Sequence, residues 1–247
     1  MRKKKIAIIS LTACEGCQIA LLDLGKRFFD FLKKVELVDF NLLEEQPFIK
    51  EKIDIAFVEG NPITKEDLKV LKNIRKQTKT LVVLGNCAAL GGIPEMKNYQ
   101  GKEKTIRYIY KKLRNIANPE IKEVDNFVKV DFTLPGCPIN GQEFLKGAKL
   151  LIKNKIPEIL PKPVCSECSF LGKPGCYLPQ KEPCLGPISL AGCDAICPKN
   201  NFPCYGCRGI LENVKPRGFL KTLEKMKNKE EIEDDLEIFG LKDMIKI

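Results

Sequence analysis

The chain is 247 residues long, enough for one large domain or two modest ones with a buried core. Hydrophobic residues make up 44% and charged residues 30%, and no apolar run approaches the ~18 residues of a membrane helix, so no membrane insertion is expected. The formal charge is +10, yet there are twelve cysteines and no histidine, which removes the commonest general base, the commonest nitrogen ligand and any Cys–His nucleophile pair.

At the start, Met1-Arg2-Lys3-Lys4-Lys5 leads into Ile6 to Leu11, an apolar stretch too short for a signal peptide, and a cytoplasmic location is expected. In a reducing compartment dense cysteine points to metal binding or catalysis rather than disulfides. Lys4 to Ser10 reads as a short apolar strand, followed by Cys14 and Cys17 as C-x-x-C. Gln18 to Lys34 has helical spacing, with Ile19, Leu22, Phe28, Phe29 and Leu32 near one face. Val35 to Leu42 and Ile53 to Val58 are further strands, the second followed by Glu59. Thr64 to Lys76 reads as a helix opened by Thr64, with Asp67 three residues on as a variant capping box. Thr80 to Leu84 is a buried strand that runs into Gly85-Asn86-Cys87. Phe127 to Phe132 alternates as a strand ahead of Pro135-Gly136-Cys137-Pro138, and Gly141 to Asn154 is the last helix of this half.

Strands separated by helices over residues 1–156 predict an α/β domain with a mostly parallel sheet. Open sheets of this kind place their sites outside the carboxyl ends of the strands, near the switch in strand order. Cys14, Cys17, Cys87 and Cys137 all fall just past strand ends, so four thiols from three distant segments are expected to converge.

Residues 157–216 lose apolar periodicity and gain proline, glycine and eight cysteines: Cys165, Cys168, Cys176, Cys184, Cys193, Cys197, Cys204 and Cys207. Such a segment cannot order itself by burial, and metal binding would have to supply its folding energy. Four thiolates serve one cubane iron–sulfur cluster or one structural zinc, and spacing alone does not choose between them. Residues 217–247 form a charged, weakly helical tail to which no function is assigned. A zinc-stapled nucleic-acid-binding protein would suit the positive charge, but aromatic residues are only 7% and no basic helix flanks a four-cysteine module.

The cysteine pattern resembles the small subunit of nickel–iron hydrogenases over nearly the whole chain. The resemblance rests on Cys14-Glu15-Gly16-Cys17, the loop from Gly85 to Gly92 around Cys87, Gly136-Cys137-Pro138 and the early pair Glu59-Gly60. In the second half it rests on Cys184-Leu185-Gly186-Pro187 through Cys193, and on Cys204-Tyr205-Gly206-Cys207. It implies a flavodoxin-like parallel sheet domain followed by a small irregular iron–sulfur cluster domain. It further implies three 4Fe–4S clusters: proximal on Cys14, Cys17, Cys87 and Cys137, medial on Cys193, Cys197, Cys204 and Cys207, distal on Cys165, Cys168, Cys176 and Cys184.

Family members usually hold the distal cluster with H-x-x-C, and Cys165 stands at that histidine here. Many carry proline near the position of Cys197 and a 3Fe–4S medial cluster, so a fourth thiolate implies a 4Fe–4S cluster. Glu59 and Glu15 would lie near the proximal cluster as surface-loop acids, able to tune it or to assist proton exit. The implied partners are a hydrogenase large subunit with the nickel–iron site and flavin or iron–sulfur electron-acceptor subunits. This chain would hold no nickel and bind no nucleic acid. Within the family its wording is most similar to the delta subunit of cytoplasmic NAD(P)-linked sulfhydrogenases. The methyl-viologen-reducing type, which serves heterodisulfide reductase, is nearly as close.

Overall fold

Short, largely apolar segments make the strands of the first half. The computed structural model describes residues 2–43, 51–99 and 119–245. It forms them into one sheet from β1 (Lys5–Ser10), β2 (Glu36–Phe40), β3 (Ile53–Glu59), β4 (Thr78–Leu84) and β5 (Phe132–Leu134). All neighbours run parallel in the order β2-β1-β3-β4-β5. This is the flavodoxin-like order, whose switch point lies between β1 and β3. Both faces are covered, which is why the strands read as unbroken apolar runs.

On one face Ile6, Ile8, Phe57 and Leu84 join Leu21, Phe28, Phe31 and Phe144 from the helices α1 (Gly16–Leu22), α2 (Lys26–Leu32) and α6 (Gly141–Ile152). The Phe57 and Phe144 rings meet at 4.9 Å between centroids. Each such ring contributes roughly 1.5–3 kcal/mol by leaving water. On the other face Ala7, Ile9, Val58 and Val83 meet Leu71 and Ile74 of α3 (Lys65–Gln77). The expected capping box closes α3: the Thr64 side chain accepts from the Asp67 N–H at 2.9 Å and Asp67 accepts from the Thr64 N–H at 2.8 Å. Two short helices, α4 (Gly85–Leu90) and α5 (Met96–Tyr99), follow β4.

Two expectations are corrected. The single helix over 18–34 is broken at Gly25, whose φ of 54° and ψ of −128° no other residue adopts cheaply. The strand expected at 127–132 begins only at Phe132, after a 3₁₀ turn at Val124–Asn126. Its alternation has another cause, because Phe127, Val128 and Val130 pack under the sheet edge. There the Asp131 carboxylate accepts the Leu81 N–H at 2.8 Å while its own N–H reaches the Leu81 carbonyl at 2.9 Å, so a side chain replaces a ladder partner. Arg75 holds that carboxylate from α3 at 2.6 Å.

The cysteine-rich stretch is made of turns, the short helix α7 (Ile196–Lys199) and isolated bridges from Pro163 to Leu190 and from Ser189 to Ile210. The tail folds as α8 (Pro216–Leu223), α9 (Lys229–Glu237) and α10 (Leu241–Ile245). Leu220, Leu223, Ile232, Leu236, Leu241 and Ile245 share a core with Leu185 and Ile188 of the cysteine-rich stretch. The tail therefore caps that stretch.

Candidate metal centre

Cys14 lies beyond the end of β1 and Cys17 on the first turn of α1; Cys87 lies on the first turn of α4 beyond β4, and Cys137 beyond β5. A Cβ built on Gly85 would stand 2.5 Å from the Cys17 sulfur and 3.5 Å from the Gly136 carbonyl oxygen, so three loops meet at this glycine. The Asn86 N–H donates to that same carbonyl at 2.8 Å. Asn61 donates to the Cys87 carbonyl at 2.8 Å, fixing the loop after β3 to the loop after β4.

Burial pushes the Cys87 thiol up to about 11, helped by the like charge of Cys14. It does the same to Cys137, again to about 11, helped by Cys87 and Cys14. Cys17 is raised further, first by burial and then by the charge of Glu59. Left alone these groups stay protonated thiols at neutral pH. They become ligands only against a positive centre that deprotonates them.

Glu59 departs from its expectation as a surface-loop acid. It is the last residue of β3, 3% exposed, and its carboxylate accepts the N–H groups of Cys17 at 3.0 Å and Gln18 at 3.1 Å. It thus satisfies orphan donors at the start of α1, where negative charge is favoured. Burial nonetheless holds its carboxyl above the usual range.

Among the eight later cysteines, Cys165 neighbours Cys168, Cys176 and Cys184, while Cys193, Cys197, Cys204 and Cys207 share a cavity wall. Burial raises Cys165 to about 11, and the like charges of Cys184, Cys168 and Cys176 add to it. A Cβ on Gly186 would stand 3.3 Å from the Cys165 sulfur and 3.5 Å from that of Cys184, so the chain passes between the two sulfurs at close contact. Cys193, Cys197, Cys204 and Cys207 line a cavity of about 430 Å³, together with Cys137, Ile139 and Phe239. Burial raises Cys207 to about 12, opposed by the Cys137 backbone amide and reinforced by Cys193 and Cys197. The groups touch: the Cys204 N–H donates to the Cys184 sulfur at 3.3 Å.

All twelve cysteines are free thiols. Among the described residues no group of three or more His, Cys, Asp or Glu side chains is placed to hold a single metal ion. One tetrahedral zinc, with Zn–S of about 2.3 Å, draws four sulfurs tightly together. The cavity beside Cys193, Cys197, Cys204 and Cys207 has room for a polynuclear centre. Three residues that sequence reasoning passed over are buried among these loops: Asn86, Gln18 and Arg208. Arg208 directly follows Cys207, and a charge beside a thiolate ligand was the available signal.

The family described as NADH ubiquinone oxidoreductase, 20 Kd subunit, matches residues 14–151, which include the first four cysteines and none of the last eight. The sulfhydrogenase 2 subunit delta of Pyrococcus furiosus is 34% identical over 96% of this chain and 99% of its own length. A vhu subunit of the F420-non-reducing hydrogenase of Methanocaldococcus jannaschii is 32% identical over 83% of this chain and 81% of its own. Among solved structures, an NAD+-reducing [NiFe]-hydrogenase in the H2-reduced state matches with a TM-score of 0.56 and 26% identity, over 64% of this chain and 95% of that one. Among the described residues no helix is long and apolar enough to cross a membrane. The chain belongs to the family of the 20 kDa subunit of NADH ubiquinone oxidoreductase, in the branch formed by the small subunits of nickel–iron hydrogenases.

Proposed function

We propose that this chain is the electron-relay subunit of a cytoplasmic nickel–iron hydrogenase, and that its twelve cysteines hold three 4Fe–4S clusters. Cys14, Cys17, Cys87 and Cys137 hold the proximal cluster, Cys193, Cys197, Cys204 and Cys207 the medial, and Cys165, Cys168, Cys176 and Cys184 the distal. The observation that carries the reading is the cavity lined by four cysteines of one group, with Cys137 of another at its wall. When bound, such clusters take up and release single electrons at potentials set by their surroundings.

The chain's own residues shape those surroundings. Gly85 and Gly186 admit the sulfurs of Cys17, Cys165 and Cys184 at contact distance. Glu59 fixes the turn that carries Cys17. Ile139 and Phe239 give the cavity beside the second group an apolar wall.

The partners in this reading are a large subunit that activates hydrogen and a flavin or iron–sulfur subunit that exchanges electrons at the distal end. The name of the Pyrococcus furiosus relative favours coupling to sulfur reduction, and the likeness to an NAD+-reducing hydrogenase favours coupling to NAD(P). A second reading is a methyl-viologen-reducing hydrogenase coupled to heterodisulfide reductase; the Methanocaldococcus jannaschii relative is a subunit of an F420-non-reducing hydrogenase, which favours an acceptor other than F420. Anaerobic chain purified alone should lose visible absorbance with dithionite but not with hydrogen. With its large subunit present, hydrogen should bleach it as well. Bleaching by hydrogen in the isolated chain, or none with the pair, would overturn the relay.

A further inference from the structure

Between the first and second cysteine groups stands an arginine that neither group needs as a ligand. Arg208 is 3% exposed, and its guanidinium is shared among three segments. Nε donates to the Ala191 carbonyl at 2.8 Å, two residues before Cys193. Nη1 donates to the Pro135 carbonyl at 2.6 Å, two residues before Cys137. Nη2 donates to Glu143 Oε1 at 2.9 Å, and Nη1 lies 2.8 Å from Glu143 Oε2, at the start of α6.

Gly192 makes room for this fork. It has a φ of +116°, and a Cβ there would stand 2.4 Å from Nη2 and 2.6 Å from Glu143 Oε1. A second tie runs beside the first. Asn86, next to Cys87, is 1% exposed and donates through Nδ2 to the Cys207 carbonyl at 2.9 Å and the Phe239 carbonyl at 3.2 Å. The junction of the second and third groups is held differently. Glu167, between Cys165 and Cys168, accepts the N–H groups of Gly192 at 3.0 Å and Asp194 at 2.9 Å, on either side of Cys193.

A buried ion pair is weak evidence for stability, since apolar side chains of the same volume often stabilise a fold as well. What apolar groups cannot do is tie three carbonyl and carboxylate positions to one planar, five-donor fork. We propose that Arg208, with Asn86 beside it, is a positioning residue that sets the separation and orientation of the Cys193/Cys207 group relative to the Cys87/Cys137 group. The inference rests on reading those groups as cluster ligands. Its consequence is that electron exchange across this one junction depends on Arg208 geometry, not on its charge.

The test compares the wild-type chain with Arg208→Lys and Asn86→Ala, purified without oxygen and assayed for iron and sulfide. Each is then reduced with dithionite, and the magnetic interaction between neighbouring reduced clusters is read by electron paramagnetic resonance. Lysine keeps the charge but cannot span the three partners. We expect both variants to keep their iron, to lose the wild-type interaction between proximal and medial clusters, and to retain that between medial and distal. If Arg208→Lys fails to accumulate, Asn86→Ala decides alone. Wild-type spectra at full iron content would overturn the proposal. A wild-type chain without iron and sulfide would instead remove the cluster reading on which it stands.

Discussion

Gly25→Ala and Gly85→Ala form a matched pair that isolates what the first cysteine group requires. Both glycines have positive φ, +54° and +84°, so alanine strains the backbone at either place. That strain is of order 1–3 kcal/mol. At ~2–4 °C per kcal/mol for a chain of this size it lowers the melting temperature by several degrees. The two sites differ in what the new methyl meets. At Gly25 nothing lies within 4 Å, whereas at Gly85 the Cys17 sulfur lies 2.5 Å away. Ordinary contact is ~3.5–4 Å, so the sulfur or the loop must retreat by about 1 Å. Metal–ligand distances in well-formed sites lie within about 0.2 Å of their preferred values. Gly25→Ala is therefore expected to melt earlier with its full metal content. Gly85→Ala is expected to lose about four irons of about twelve, one cubane's worth. The assay is iron per folded chain by elemental analysis beside a thermal melt. Gly85→Ala with full iron and no more destabilisation than Gly25→Ala would refute the reasoning.

Replacing Cys197 with proline should remove one thiolate and about one iron, converting a 4Fe–4S to a 3Fe–4S cluster, because position 197 is in the first turn of α7, where the missing N–H costs no helical bond. An unchanged spectrum of the oxidised chain would exclude Cys197 as a ligand. Glu95 is 4% exposed, and burial with the like charges of Glu123 and Asp243 raises its carboxyl to about 7. The folded chain thus holds a proton that the unfolded chain has released, so stability should fall as pH rises from about 4.5 towards 7 and level off above. Denaturant unfolding of Glu95→Gln should show that slope reduced; an identical slope would assign it elsewhere. Asn140 caps α6 by accepting from the Gln142 N–H at 2.8 Å and also donates to the Gly192 carbonyl at 3.0 Å. Asn140→Ala should cost about 1–2 kcal/mol in the same measurement.

What was legible in the sequence follows from local rules. Strands buried on both faces show as apolar runs, and Thr64 with Asp67 announces α3 because a capping box is a contact three residues long. The placement of Cys14, Cys87 and Cys137 after strand ends was readable because parallel sheets carry their sites there. The errors arose at one glycine and where distant partners decide. Gly25 breaks a periodic helix through its own backbone angles. The alternation at 127–131 belongs to residues packed under an edge whose ladder is finished by Asp131 and Arg75. Glu59 read as a loop acid because nothing near it in sequence shows that the start of α1 will cover it. The tail read as charged and weakly helical, since its apolar partners Leu185 and Ile188 lie about thirty or more residues upstream in the cysteine-rich stretch. Arg208 and Glu167 act only across segments, which spacing does not encode.

The most direct test of the relay is the content of iron, acid-labile sulfide, zinc and nickel per chain in protein purified without oxygen. Three cubane clusters require about twelve irons and about twelve sulfides, with nickel present only when a larger partner co-purifies. About three zinc ions and no sulfide would contradict the account and leave three zinc-stapled cysteine groups in its place.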